Sequence, residues 1–349
     1  MAKYDYTKRL DSLRKRRIDD SESKSIIGKY EVLTESYEQL KDTSTVKYVM
    51  GAMLPVSTQY TKLTLAEAER VQNQLSSLKE KGYDIEFKYQ GSVTNNTHIK
   101  AHSDIDILTL YLGFVNLEPP QIPSNPYKGN PVQDLCNLRD DSYVILRKAY
   151  PMAEIDNNGA KSISLQGGSL RRKVDVVASN WYDTLKYSQT KLDYYRGVMV
   201  LDYKEKKQIL NTPFYHNKLL DEKDKATMTS FKRVIRLLKT IKADADVTIN
   251  LSSYDISALI YHMENRDLTI GKSPLLLIRK SLEFLRYVHQ NQTFRSSLLV
   301  PDKSRSIFEP NRATNNDLML LITELDGIYQ DLLEDLKISG TNINKEIIA

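Results

Sequence analysis

Two aspartates, Asp104 and Asp106, stand in the run SDIDILTLYL, and a third, Asp175, interrupts KVDVVAS. Side chains alternate faces along an extended strand, so Asp104 and Asp106 point the same way, and Leu108, Leu110 and Leu112 continue their face. Ile105, Ile107, Thr109 and Tyr111 line the other side. Both faces are largely apolar, which is the pattern of a strand covered on both sides. An uncompensated carboxylate there is costly, so the pair needs a counter-charge. Asp175 shares a face with Val177, while Val174 and Val176 take the opposite one. Three carboxylates delivered from two buried strands suit hard divalent cations. Mg²⁺ fits best, because it accepts a few carboxylates and keeps other positions for water and phosphate oxygens; Mn²⁺ is the natural substitute. Two such ions about 4 Å apart would clamp the attacking and leaving oxygens of an in-line phosphoryl displacement. Asp104 and Asp106 would hold the ion on a triphosphate and share the second. Asp175 would bind that second ion beside the attacking sugar hydroxyl.

Other segments point at phosphate. Gly91-Ser92 follows the period-two run DIEFKYQ, so a glycine-opened turn at a strand end can aim N–H groups and a hydroxyl at phosphate oxygens. In TMTSFKRVIRLLKTIK the core stripe is Phe231, Val234, Ile235, Leu238 and Ile241, and Lys232, Arg236 and Lys239 line another face. In NLSSYDISALIYH, Ser252 or Ser253 caps a helix starting near Tyr254. A helix start is also an anion site, and Tyr254 could stack on a purine. Each feature alone has a plainer reading. Asp-Ile-Asp could lie on a partly exposed edge, Gly-Ser could be a simple turn, and Asp175 beside Arg172 and Lys173 could be one end of a salt bridge. The basic row could be a solvated face, and Tyr254 a half-buried packing residue. Together, spacing and strand context favour one phosphate-transfer site.

The elements that position these residues follow from periodicity. Helical spacing dominates the first eighty residues, with Ile26, Ile27, Tyr30, Leu33 and Tyr37, then Leu63, Leu65, Val71, Leu75 and Leu78. Pro55 breaks this part and Lys81-Gly82 ends it. Strands are expected at 84–90, 103–112, 152–156, 161–166, 172–179, 197–203 and 207–211, with Asn158-Gly159 as a tight turn. The proline-rich stretch 113–131 reads as loop, and a helix runs from Pro131 towards Tyr150. Helices return at 214–242, 253–265, 273–292 and 315–337. The expected organisation is N-terminal helices over 1–82, a sheet core over 83–212, a helical bundle over 213–338 and a mobile tail at 339–349.

Bulk properties exclude other classes. The 349 residues are 40% hydrophobic and 27% charged, as in ordinary globular proteins. A net charge of +5 suits an anionic ligand without demanding a polyanion. The one cysteine, Cys136, rules out intrachain disulfides and a cysteine-built metal site. The opening MAKYDYTKRLDSLRKRR is too polar for a secretory signal, and its basic run reads as a solvated helix face. No apolar run approaches membrane-spanning length, so a cytoplasmic location is the expectation.

With these motifs in place, the chain resembles the nucleotidyltransferase superfamily and, within it, the cGAS/DncV-like enzymes. The pattern is a Gly-Ser turn (Gly91-Ser92), an acidic-x-acidic strand (Asp104, Asp106) and a distant third acid (Asp175). Lys239 in RVIRLLK looks like the family's triphosphate-binding lysine, Ser253 like its phosphate-contacting serine, and Tyr254 like the aromatic that stacks on the donor base. The resemblance implies an α/β (α+β) fold: a mixed-sheet core, N-terminal spine helices and a C-terminal helical bundle. It implies a Mg²⁺-dependent enzyme with ATP or GTP as substrates. The product would be a cyclic oligonucleotide, a cyclic dipurine dinucleotide above all, made with release of pyrophosphate. In bacteria such a product switches on a separate effector in anti-phage (CBASS) defence. A linear-product transferase, such as an oligoadenylate synthetase or a small-molecule adenylyltransferase, would share the metal site. A non-catalytic nucleotide-binding scaffold would have no reason to keep all three acids. Cysteine content excludes the zinc insertion of the animal DNA sensor, so DNA activation is not expected. The tail ending at Ala349 permits conjugation by a ubiquitin-transfer-like enzyme.

Overall fold

The structure, a computed structural model, describes residues 3–17, 38, 41–101, 103–269, 273–310 and 312–338. Ile26, Ile27, Tyr30, Leu33, Tyr37 and the tail at 339–349 lie outside the described residues. The chain divides into two units. A sheet unit comprises 57–96 and 102–219, and a helical unit comprises 1–56, 97–101 and 220–349.

In the sheet unit, the period-two runs form seven strands: β1 (Ile85–Gln90), β2 (Ile105–Leu117), β3 (Glu154–Asp156), β4 (Ile163–Gly167), β5 (Leu170–Asp183), β6 (Gly197–Asp202) and β7 (Lys207–Asn211). Their order is β1-β2-β5-β4-β3, with β6 pairing β5 and β7. The β2–β5 pair is parallel and the other pairs are antiparallel, so the sheet is mixed. One face carries Ile105, Ile107, Val174 and Val176, packed with Val71 and Leu75 from the helix Thr58–Leu75 and Leu135, Leu138 and Leu146 from the helix Pro131–Ala149. The latter starts where Pro131 is pre-set for the first turn and the Asn130 side chain accepts from Gln133 N–H. The other face gathers Leu108, Leu110, Val177, Trp181, Val198 and Val200. The two central strands are therefore buried on both sides, as their composition requires.

Two strand boundaries differ from the sequence expectation. Strand β2 continues through Gly113 to Leu117 because the first proline comes only at Pro119. The β2–β5 register shifts between Tyr111 and Asn116, and within that irregularity Leu112 is 39% exposed rather than continuing the core face. Strand β5 similarly runs to Asp183, past the expected end at 179.

In the helical unit, one core unites Tyr6 and Leu13 from the first helix (Tyr6–Arg17) with Tyr48, Val49 and Met53 from Ser44–Met53. It continues through the helices Ser230–Asp244, Ser253–Tyr261, Pro274–Gln290 and Asn315–Ile338. The segment expected as one helix over 214–242 is two, Pro213–Ala226 and Ser230–Asp244. Met228 (φ 50°) and Thr229 (φ 70°) turn the chain between them. The helix expected over 253–265 likewise stops at Tyr261. Leu63 and Leu65 are half-buried; the inward stripe of their helix is Tyr60, Thr64, Glu67, Ala68, Val71 and Leu75. The basic N-terminal run is not simply a solvated face. Arg9 and Arg17 are buried, Arg17 donates to the carbonyls of Leu54 and Pro55, and Arg16 forks onto Asp244. Among the described residues, no helix is long and apolar enough to cross a membrane.

Candidate active site

The parallel pairing of β2 and β5 places Asp106 opposite Asp175. Both project onto one face of neighbouring strands at the same height, near enough for each charge to act on the other. Asp106 is mostly buried, and its carboxyl is pushed up to about 7. Burial is the main cause, and the Asp175 and Asp104 carboxylates add to it, while the Lys173 ammonium opposes it. Asp175 has a side-chain exposure of 13%; its Oδ2 accepts from Lys173 Nζ at 2.9 Å, and its Oδ1 is buried with no hydrogen-bond partner.

Asp104 is placed differently from the other two acids. It lies just ahead of β2, its side chain is 57% exposed, and its Oδ2 is 3.5 Å from the same Lys173 ammonium. Among the described residues, no three His, Cys, Asp or Glu side chains converge as a ready-made cation cage. Asp106 and Asp175 stand side by side, and Asp104 is joined to Asp175 through Lys173. Like charges brought together in this way recruit a cation. The donor set nonetheless fits a divalent ion. It offers hard oxygens only, one of them buried and unpartnered, with a carboxyl raised by burial and by its negative neighbours.

Gly91 supplies the next part. Strand β1 ends at Gln90, whose Cα pairs with Asp106, so the following turn starts beside that carboxylate. Gly91 has φ of +97°, and a Cβ there would lie 3.0 Å from Asp106 Oδ2. Both the left-handed backbone and the close approach require glycine. The turn is closed by Thr94, whose N–H and hydroxyl both donate to the Gly91 carbonyl at 3.2 and 2.8 Å. Ser92 is half-buried at the turn's next position.

Lys239, Ser253 and Tyr254 belong to the helical unit. The basic row of their first helix is internal rather than solvated: Lys232, Arg236 and Lys239 are all buried. Lys232 pairs with Asp221, Arg236 Nε donates to the Met53 carbonyl at 2.9 Å, and Lys239 Nζ donates to the Thr97 carbonyl at 2.6 Å. Burial, reinforced by Arg236 and Lys242, pulls the Lys239 ammonium down to about 8. Ser252, not Ser253, caps the next helix, accepting from Asp255 N–H at 3.0 Å; Ser253 is its exposed first residue. Tyr254 is half-buried against the core, and its hydroxyl donates to Asp302 at 3.2 Å. The Arg305 guanidinium stands 5.2 Å from its ring centre and bonds Asp255. The packing role that the sequence allows for Tyr254 is therefore present.

Sequence reasoning meets Lys173 only as an alternative partner for Asp175. The signal is there, because a residue two positions from Asp175 on a strand shares its face.

Comparison with known proteins agrees with this fold. Residues 218–330 match the cGAS/DncV-like nucleotidyltransferase C-terminal helical domain. Over 332 residues the chain is 33% identical to the cyclic dinucleotide synthase CdnE of Yersinia aleksiciae, an alignment covering 93% of this chain and 87% of that protein. The solved structure of a STING-associated CdnE c-di-GMP synthase from Capnocytophaga granulosa is similar with a TM-score of 0.76 at 28% identity, covering 95% of this chain and 99% of that one. A STING-associated CdnE c-di-GMP synthase from Flavobacteriaceae sp. shares the fold, with a TM-score of 0.78 at 22% identity over 95% of this chain and 99% of that one. A mixed sheet carrying paired acids beside a Gly-Ser turn is the frame of a nucleotidyltransferase. The chain belongs to the cGAS/DncV-like nucleotidyltransferases, and it is an enzyme of that class.

Proposed function

We propose that this chain makes a cyclic dinucleotide, a dipurine in the first instance, from ATP or GTP with loss of pyrophosphate. In each step a ribose hydroxyl oxygen forms a bond to an α-phosphorus, the bond to the β-phosphate bridging oxygen breaks, and the hydroxyl proton is lost. The second such step closes the ring. The observation that carries the reading is the Asp106–Asp175 pairing with Gly91 seated against Asp106, in a chain of this family. The naming of relatives as cyclic dinucleotide and c-di-GMP synthases supports the product class.

Asp104, Asp106 and Asp175 are the residues that would hold Mg²⁺, which when bound neutralises phosphate charge and favours the ionised attacking hydroxyl. The Gly91-Ser92 turn offers backbone N–H groups and a hydroxyl to phosphate. Lys239 and Ser253 are assigned to phosphate and Tyr254 to the base. The product would act on a separate effector in anti-phage defence, with synthesis in the cytoplasm.

Incubating purified protein with all four triphosphates and Mg²⁺ or Mn²⁺ should yield, by mass spectrometry, a cyclic dinucleotide whose mass is unchanged by phosphatase. A product that loses terminal phosphate under the same treatment is linear and overturns the reading. A second test concerns Lys239. Lys239→Met should raise the KM for triphosphate on the order of ten-fold or more, the scale of a lost hydrogen bond to a charged group. Initial-rate kinetics with an unchanged KM, and only a lower Tm, would assign Lys239 to anchoring Thr97 alone.

A further inference from the structure

Lys173 is the one cation bonded to two of the three acids among the described residues, with Nζ at 2.9 Å from Asp175 Oδ2 and 3.5 Å from Asp104 Oδ2. Its position is dictated by the strand. Lys173 and Asp175 are two residues apart on β5, and Val174 between them is paired with Ile105 of β2 and Leu165 of β4, which holds the backbone in place. The side chain can. A lysine presents a compact point charge on a flexible four-carbon stem, unlike an arginine fork fixed by two parallel bonds. The pair is also only partly buried, with the Lys173 side chain 36% exposed, so water is at hand to receive a released ammonium.

We propose that Lys173 is a tethered competitor for the divalent cation: its ammonium holds one oxygen each of Asp104 and Asp175, carboxylates that an incoming ion would also draw on. This inference rests on the metal reading of the three acids. Both charges cannot share those oxygens closely, because an ammonium and a divalent ion a few ångströms apart repel. Ion entry therefore requires the Lys173 side chain to swing outward, and the resting ion pair sets a threshold that weakens binding of the bare cation. In the loaded enzyme the displaced ammonium stays on its short stem beside the site, available to the negative charge of a bound triphosphate. Lys173 is accordingly a positioning residue for Asp104 and Asp175.

The test is Mn²⁺ binding to the full chain without nucleotide, followed by the electron paramagnetic resonance signal of free Mn²⁺. Lys173→Met should bind Mn²⁺ on the order of five-fold tighter than the wild type, the scale of losing a partly exposed ion pair. Lys173→Arg keeps the charge and should bind Mn²⁺ no tighter than the wild type. Unchanged or weaker binding in Lys173→Met overturns the proposal, as does equal behaviour of the two variants. Asp106→Asn separates the two layers. If it leaves Mn²⁺ binding untouched, the metal reading and this inference fall together; if it weakens binding while Lys173→Met does nothing, only the competitor role falls.

Discussion

Asp106→Asn and Asp175→Asn each lower nucleotide turnover by on the order of 10²–10³-fold, and Asp106→Asn does so while making the protein more heat-stable at pH 8. The first effect follows from removing a group that organises charge at the reacting phosphate, where single deletions cost up to about that factor. The second follows from where Asp106 sits. Its folded-state pKa of about 7 lies above the ordinary carboxylate range, with burial the main cause and Asp175 and Asp104 contributing. The folded protein thus holds this proton more tightly than the unfolded chain. The resulting penalty is absent below about pH 4, grows as pH rises and is complete above about pH 7. Asparagine is neutral throughout, so in EDTA its Tm should exceed the wild type's at pH 8 by on the order of 2–4 °C, and match it near pH 4. Pyrophosphate release and thermal melts at both pH values check the two halves. Near-normal turnover in either variant, or a lower Tm for Asp106→Asn at pH 8, contradicts the assignment.

Gly91→Ala carries the next largest effect. The backbone there has φ of +97°, and the added methyl carbon would meet Asp106 Oδ2 at 3.0 Å. Strain at a left-handed position costs about 1–2 kcal/mol. The chemical effect adds to it: the Asp106 carboxylate must give by a few tenths of an ångström. Since a misplacement of about 1 Å costs on the order of 10²-fold in rate, a loss on the order of ten-fold is expected. Gly82 supplies the comparison. It has φ of +90°, and a methyl carbon added there would find nothing within 4 Å, so Gly82→Ala bears the backbone strain without touching a carboxylate. Rate loss in Gly91→Ala but not Gly82→Ala, with both melting at similar temperatures, is the expected pattern. Equal rates in the two would sink the argument.

Much of this arrangement is legible in the residues. Alternation of apolar and acidic side chains identifies β1, β2 and β5 and the shared face of Asp104 and Asp106, because a strand buried on both sides leaves few ways to place a charge. What alternation cannot supply is pairing: that β2 and β5 are neighbours, parallel and in the Asp106–Asp175 register depends on contacts distant in sequence. The same limit explains the basic helix. Lys232, Arg236 and Lys239 have the spacing of a solvated face, yet each finds an acceptor (Asp221, the Met53 carbonyl, the Thr97 carbonyl) that no local pattern announces. The break at Met228 and Thr229 is equally hidden, since neither residue type advertises a positive φ.

The register of the two central strands has an evolutionary corollary. Slipping β2 by one position against β5 would turn Asp106 into hydrocarbon and bring Ile105 or Ile107 out in its place, with no solvent-facing side to absorb the mistake. Insertions or deletions in the stretch that pairs Asp106 with Asp175 would thus undo the site, whereas the same ladder already absorbs an irregularity between Tyr111 and Asn116, and the turns and helices beyond are freer to drift. Lineages that diversify on this frame should vary substrate choice in those outlying parts while inheriting the two-strand centre unaltered.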